Sequence, residues 1–172
     1  MSGSDAALTP QSVVDAMSNP GAVIDRYLDV VAANALAGAV SAALALGSNL
    51  ARFTFLNPQV EDTSADWPEE ARRTAGVLRA ASERFGADAR FRKLVGELMA
   101  RSQRFADEWA AETAVPASAG MATVDNPLVG KIVCAWEQRP FATDDELTVV
   151  ELVPTDQAST VRLERLRQLL AT

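Results

Sequence analysis

After Pro116 the hydrophobic period of this 172-residue chain switches from helical to strand-like, and no other feature limits its fold as strongly. Upstream, Phe91, Leu94, Val95, Leu98 and Met99 form one apolar helical stripe, with Arg90, Lys93 and Glu97 on the other side. Asp66, Pro68 and Glu69 predict a capped start for the helix before it, which carries Leu78, Ala81 and Phe85 and stops at Gly86. Ser102 can cap a third helix, in which Phe105 and Trp109 stand four residues apart on one side. Downstream, "MATVD", "LVGKIVCAWEQ" and "ELTVVELV" alternate with period two, with "ASAG" read as part of the break before them. They predict an antiparallel meander. A last helix over 156–170 places Val161 or Leu163, Leu166 and Leu170 inward.

The other strand signal lies near the start. "MSGSDAALTP" is small and polar, so residues 1–10 read as a linker or expression-derived lead-in to one domain over 11–172. "PQSVVDAMSN" supplies one or two helical turns, stopped by Asn19-Pro20-Gly21. "AVIDRYLDVVAAN" then predicts strands at 22–25 and 28–32, folded back at Asp25, Arg26 and Tyr27. From Asn34 the pattern is helical, with Leu36, Val40 and Leu44 on one face as far as "GSN" at 47–49. "LARFTFLNP" at 50–58 fits helix or extended chain equally. Two strands, then helices, then three strands predict an α+β domain: an antiparallel five-stranded sheet with helices packed over one face.

Charge and residue types exclude several functions. With 16 Lys and Arg against 23 Asp and Glu, the net charge of -7 repels a phosphate backbone. The chain has no histidine, which removes Ser-His-Asp and Cys-His nucleophiles and the common His-containing zinc sites. Gly-rich phosphate loops, GxSxG elbows and paired cysteines are missing too, so neither a catalytic nor a metal-ligating residue is assigned. The single Cys134 suits a reducing compartment, and the alanine-rich stretch 30–46 is too interrupted to span a membrane. The expectation is a soluble, cytoplasmic protein that makes no membrane contact.

"DVVAANALA", "NLARFTFLNP", "DWPEEARRTAGVLR", "LVGELMARSQRFADEWA" and "NPLVGKIV" follow one another over roughly residues 20–155 and resemble the MmyB-like transcription regulators, a family frequent in actinobacteria. The resemblance implies a PAS-like ligand-binding domain, in which helices over an antiparallel sheet enclose an apolar pocket for a fatty-acid-like molecule. It also implies control of an N-terminal helix-turn-helix of the Xre type, through which alone DNA would be bound. No helix-turn-helix is read in this chain, which is therefore expected to be a separated sensor half or a regulator without DNA binding. The sequence departs from the family where "AAETAV" follows Trp109, where Asn126-Pro127 replaces His-Pro, and where Trp136 replaces tyrosine. No histidine serves there as a polar ligand anchor.

On this reading the ligand-binding candidates are Asn34, Leu36, Val40, Arg52, Phe53, Phe55, Trp67, Leu94, Leu98, Phe105, Trp109 and Trp136, with a bound fatty acid or similar lipid in place of a cofactor. Each has a plainer alternative. Alanines at 35, 37, 39, 42, 43 and 45 allow either close packing or a cavity wall. Phe105 and Trp109 fit a core as well as a lid, and Asn34 fits a helix cap as well as a ligand contact. Arg52, inside "LARFTF", must reach water, a ligand carboxylate or an internal acid. Arg101 and Arg104 read as an exposed face, and Cys134 as a small buried hydrophobe. A homodimer is expected, and a dimerisation module without a ligand, built on the Ala-rich or C-terminal helix, is the competing function. A carboxylate-based enzyme has only surface acids in its favour.

Overall fold

The computed structural model describes residues 8–63, 66–112 and 116–172. Its sheet has five strands, all antiparallel, in the order β2-β1-β5-β4-β3: β1 Gly21–Ile24, β2 Val30–Ala33, β3 Ala119–Asn126, β4 Gly130–Phe141 and β5 Asp144–Pro154. The N-terminal hairpin and the C-terminal meander become one sheet through β1 and β5, with Ala22 opposite Val150 and Val23 opposite Val149. The architecture is α+β, as the element order predicts, and PAS-like, as the family resemblance implies.

Every residue of β1 is buried, because the sheet is covered on both sides there. Ala22 and Ile24 join the main core, while Val23 belongs to a second, smaller core with Ala32, Phe141, Val149 and Val14. Val14 comes from α1 (Pro10–Asp15), which packs on the face opposite the other helices. The hairpin turn is organised by Asp25, whose Oδ1 accepts from the backbone N–H groups of Tyr27 at 2.9 Å and Asp29 at 3.0 Å. Leu28 takes a left-handed conformation (φ 65°), so β2 starts at Val30 and not at residue 28 as predicted.

Asn34 caps α2 (Ala35–Val40), accepting from Ala37 N–H at 2.9 Å. The predicted single helix to residue 47 is not formed. Ser41 is extended (φ -147°, ψ 131°), and its hydroxyl caps one 3-10 turn over Ala42–Leu44. The chain folds back so closely that a Cβ on Gly38 would stand 3.5 Å from Ala45 Cα. Small residues here permit self-packing, the plainer of the two uses of alanine. The broken end is held by Asn126, whose Nδ2 donates to the carbonyls of Ala39 (2.7 Å) and Val40 (3.2 Å) and whose Oδ1 accepts from Leu128 and Val129.

The main helical layer comprises α3 (Leu50–Leu56), α4 (Pro58–Thr63), α5 (Trp67–Phe85), α6 (Ala89–Arg101) and α7 (Gln103–Ala111), with α8 (Gln157–Leu170) against β4 and β5. The ambiguous 50–56 stretch is thus helix, capped by Asn49. The predicted capping box at Asp66 is absent: a helix-like backbone there (φ -89°, ψ 0°) leaves its carboxylate without a cap hydrogen bond. Trp67 secures that end by donating its indole N–H to the Thr54 carbonyl at 2.9 Å. In α6 the buried line is Phe91, Leu94 and Leu98, and Met99 lies outside it. In α8 Leu163 and Leu166 are buried, whereas Val161 and Leu170 are exposed.

Because Asn126 satisfies two buried carbonyls from one side chain, Asn126→Ala should lower unfolding free energy by about 1–3 kcal/mol. Urea denaturation measures this, and a loss below about 0.5 kcal/mol would show that water replaces the side chain there.

Candidate ligand-binding site

Between the sheet and the helical layer the structure gathers Leu36, Val40, Phe55, Trp67, Leu94, Leu98, Phe105, Trp109 and Trp136 into one hydrophobic core. A chain of rings runs through it. Phe55 meets Phe105 edge-on at 5.0 Å, Phe105 stacks on Trp109 at 5.4 Å, and Trp109 tilts against Phe91 at 6.4 Å. These rings come from α3, α6 and α7. The helical spacing of Phe105 and Trp109 is what stacks them, with Ser102 capping α7 through Phe105 N–H at 3.1 Å.

Three candidates lie outside this core cluster. Asn34 spends its amide on structure: beyond the cap it accepts from Gly21 N–H and donates to the carbonyls of Val14 and Asn19. Phe53 is half-buried and outside the core cluster. Arg52 is paired with the internal acid Glu97, both Nε and a terminal nitrogen standing 2.9 Å from Glu97 Oε2. That pairing, led by the Arg52 hydrogen bond, holds the Glu97 carboxyl below its usual range.

Two surface clefts touch the core. A groove of about 520 Å³ between α1, α2 and α8 reaches it at Leu36. A cleft of about 190 Å³, lined by Tyr27, Asp29, Asn49, Arg52, Arg90 and Lys93, reaches it at Leu94. Behind this second cleft the hairpin turn is clamped to the start of α6. Tyr27 and Arg26 both donate to Asp88, which also caps α6 by accepting from Phe91 N–H at 2.8 Å. The Tyr27 hydroxyl, then Phe91 N–H and Arg26, hold the Asp88 carboxyl at about 2. Arg90 lies 4.2 Å over the Tyr27 ring and pairs with Asp29.

Each tryptophan carries an arginine on its ring, a pattern that sequence reading missed. Arg104 covers Trp67 at 5.3 Å, Arg79 covers Trp109 at 4.6 Å, and Arg73 covers Trp136 at 4.4 Å. Arg104, read as part of an exposed face, in fact packs over Trp67 and bonds Glu108 at 2.7 Å, whereas Arg101 is exposed as expected. Nothing in the spacing of "EEARRTAGVLR" separates Arg73, over a ring, from Arg72, which pairs with Glu69 at 2.9 Å.

Trp136 has a second peculiarity. Its Nε1–H is buried without a hydrogen-bond partner among the described residues, a situation that costs about 1–3 kcal/mol. The indole lies across Gly120 of β3, where an added Cβ would come within 2.6 Å of the ring. For that reason Gly120 belongs inside β3, and "ASAG" is not wholly a break as predicted. Nearby on α5, Glu70 hydrogen-bonds the Thr54 side chain, and burial pushes its carboxyl above the usual range. Cys134 is fully buried in β4, its thiol pushed up to about 11 chiefly by burial. Among the described residues no cluster of acids and Cys134 could hold a metal ion, and no helix is long and apolar enough to cross a membrane.

The model of one protein family, described as the MmyB-like transcription regulator ligand binding domain, matches residues 9–166. No curated protein matches the chain.

The Asp88 clamp makes an acid-sensitive contribution. A carboxyl held at about 2, against a usual 3.8, stabilises the fold above about pH 4, and that stabilisation is lost as pH falls toward 2. Asp25 and Glu70, both raised by burial, act with the opposite sign. Denaturation midpoints between pH 5 and pH 2 should therefore fall less steeply in Asp88→Asn than in the unaltered chain, and equal slopes would show that Asp88 is not the group responsible.

Proposed function

We propose, from the premise that this chain belongs to the MmyB-like transcription regulator ligand-binding domain family, that it binds an apolar, fatty-acid-like small molecule between its sheet and its helices and passes occupancy to an attached DNA-binding domain. The observation that carries this reading is the chain of rings from Phe91 through Trp109 and Phe105 to Phe55, set in a core that surface clefts reach at Leu36 and Leu94. Each ring pair that parts over an acyl chain loses about 0.5–1.5 kcal/mol of ring–ring contact, which burial of the acyl methylenes against the same rings can offset.

In the ligand-free form the rings occupy the space that an acyl chain would take. Binding displaces Phe105 and Trp109, and with them α7, which is bounded by the capped Ser102 and by Glu112 in a left-handed conformation (φ 53°). A ligand shifts this equilibrium only by its difference in affinity for the open and closed forms. Leu36, Val40, Phe55, Trp67, Leu94, Leu98 and Trp136 form the wall, and Arg52 stands at the mouth of the Leu94 cleft. The domain carries out no chemistry and needs no cofactor other than this ligand. It works in the cytoplasm, where its DNA-binding partner domain meets the operator.

The dimerisation reading has one observation in its favour. Val161 and Leu169, about 80° apart around α8, are 57% and 45% exposed, while Leu170, on the side of Leu163, borders the groove beside α2. A homodimer through α8 is compatible with ligand binding, since Leu163 and Leu166 already face the core.

Native mass spectrometry of the purified protein, followed by solvent extraction, should find one acyl ligand of several hundred daltons per chain, or a one-to-one adduct on adding dodecanoate. Tryptophan fluorescence should change with it, and less so in Trp109→Phe. An unliganded mass across preparations, with no adduct for chains of eight to eighteen carbons, would leave dimerisation through α8 as the function.

A further inference from the structure

We infer that Arg73 and Trp136 form the polar end of the ligand site and receive an anionic oxygen head group, a carboxylate in the first instance. The inference rests on the apolar-ligand reading above and adds what that reading lacks, a place for the head.

Two unmet needs coincide at this point. The Trp136 indole N–H can only donate, it is buried, and it meets no acceptor among the described residues. Trp136 itself is 5% exposed. The described partners of Arg73 are the face of that same indole, 4.4 Å away, and the charge of Glu70, one helical turn before it. Other arginines beside tryptophans have a further bond: Arg104 to Glu108, and Arg79 to the Trp109 carbonyl. Arg73 alone among the described tryptophan-capping arginines keeps its guanidinium donors uncommitted. A half-buried guanidinium and a buried indole N–H, one stacked on the other, call for a group that accepts from both, and a carboxylate has two oxygens for the purpose.

Arg52, the anchor suggested by the sequence, is already satisfied by Glu97. The surroundings of Arg73 favour an external acid instead. Glu70 bonds Thr54, and no ion pair joins it to Arg73 among the described residues. Burial keeps the Glu70 carboxyl readier to hold a proton than an exposed acid, which lessens its repulsion of an incoming carboxylate. The indole is also fixed in place, since Gly120 leaves it room that any side chain would remove. An acyl tail extending from this head would lie among Trp67, Leu78 and the ring chain, within the same core.

The test compares two amphiphiles of one chain length, dodecanoate and 1-dodecanol, below their micelle concentrations, by calorimetric titration of the whole chain. The unaltered protein should bind dodecanoate about tenfold or more tightly than dodecanol. Arg73→Met should weaken dodecanoate far more than dodecanol, so that the two affinities converge, and Arg73→Lys should restore part of the preference. The indole N–H resonance of Trp136, assigned in the unaltered protein by through-bond and nuclear Overhauser connectivities to its β4 backbone, should shift on adding dodecanoate, which reads the site without any folding risk from a variant. Equal affinities for the two amphiphiles, or a preference that survives Arg73→Met with a still Trp136 resonance, would overturn this assignment and leave the apolar-ligand reading standing. Binding of neither amphiphile would overturn both.

Discussion

Pairing of β1 with β5 is the interaction on which the rest of the molecule depends. Four residues of the N-terminal hairpin, Gly21–Ile24, join it to a meander that begins almost a hundred positions later. Without that contact the helices would have half a sheet to cover. With it, β1 is buried on both faces, by α1 on one side and by the main layer on the other, so its side chains must be small or β-branched. At Gly21 the Met17 sulfur takes the place a Cβ would need, so any other residue there would push the Met17 side chain aside. Asn34 holds the same corner together, tying α1, the Asn19 turn, β1 and α2 through one amide.

The small residues of α2 serve that corner as well. The fold-back at Ser41 brings Ala45 over Gly38 and delivers Leu44 to the core, while Asn126 closes the open end of the helix. Space saved near α2 is therefore taken up by the chain itself. The ring-bearing part of the core lies elsewhere, among α3, α5, α6 and α7 with Trp136 on β4, and there arginines cover the three tryptophan rings. A layer sealed by cation–π contacts differs from one sealed by leucines. The guanidinium can leave the ring for water at modest cost, so the contact completes the core and can also be opened.

Local signals were legible wherever a hydrogen bond closes over three or four residues. Asn34 and Ser102 cap the helices their spacing announces, and Asp25 turns the hairpin where the β-branched runs are interrupted. Asp66 fails as a cap despite the same spacing, because its own backbone is already helix-like. Of the ligand-site candidates, the apolar and aromatic ones other than Phe53 meet in one core because hydrophobic periodicity places them on inward faces. The polar ones could not be placed this way. Whether Arg52 finds Glu97, forty-five positions away, or Arg73 finds Trp136, sixty-three away, depends on how helices cross the sheet, and no periodicity encodes that.

By itself, then, the sequence determined the class of the fold, its strand count, most caps and turns, and an interior rich in rings, all of which follow from side-chain period and short-range hydrogen bonds. Only the tertiary structure decided where the alanine-rich helix breaks, that Gly120 belongs to a strand, and which arginine meets which tryptophan. Those outcomes are set by close approach between segments far apart in the chain, where a few tenths of an ångström at a Cβ or a ring face determines what fits.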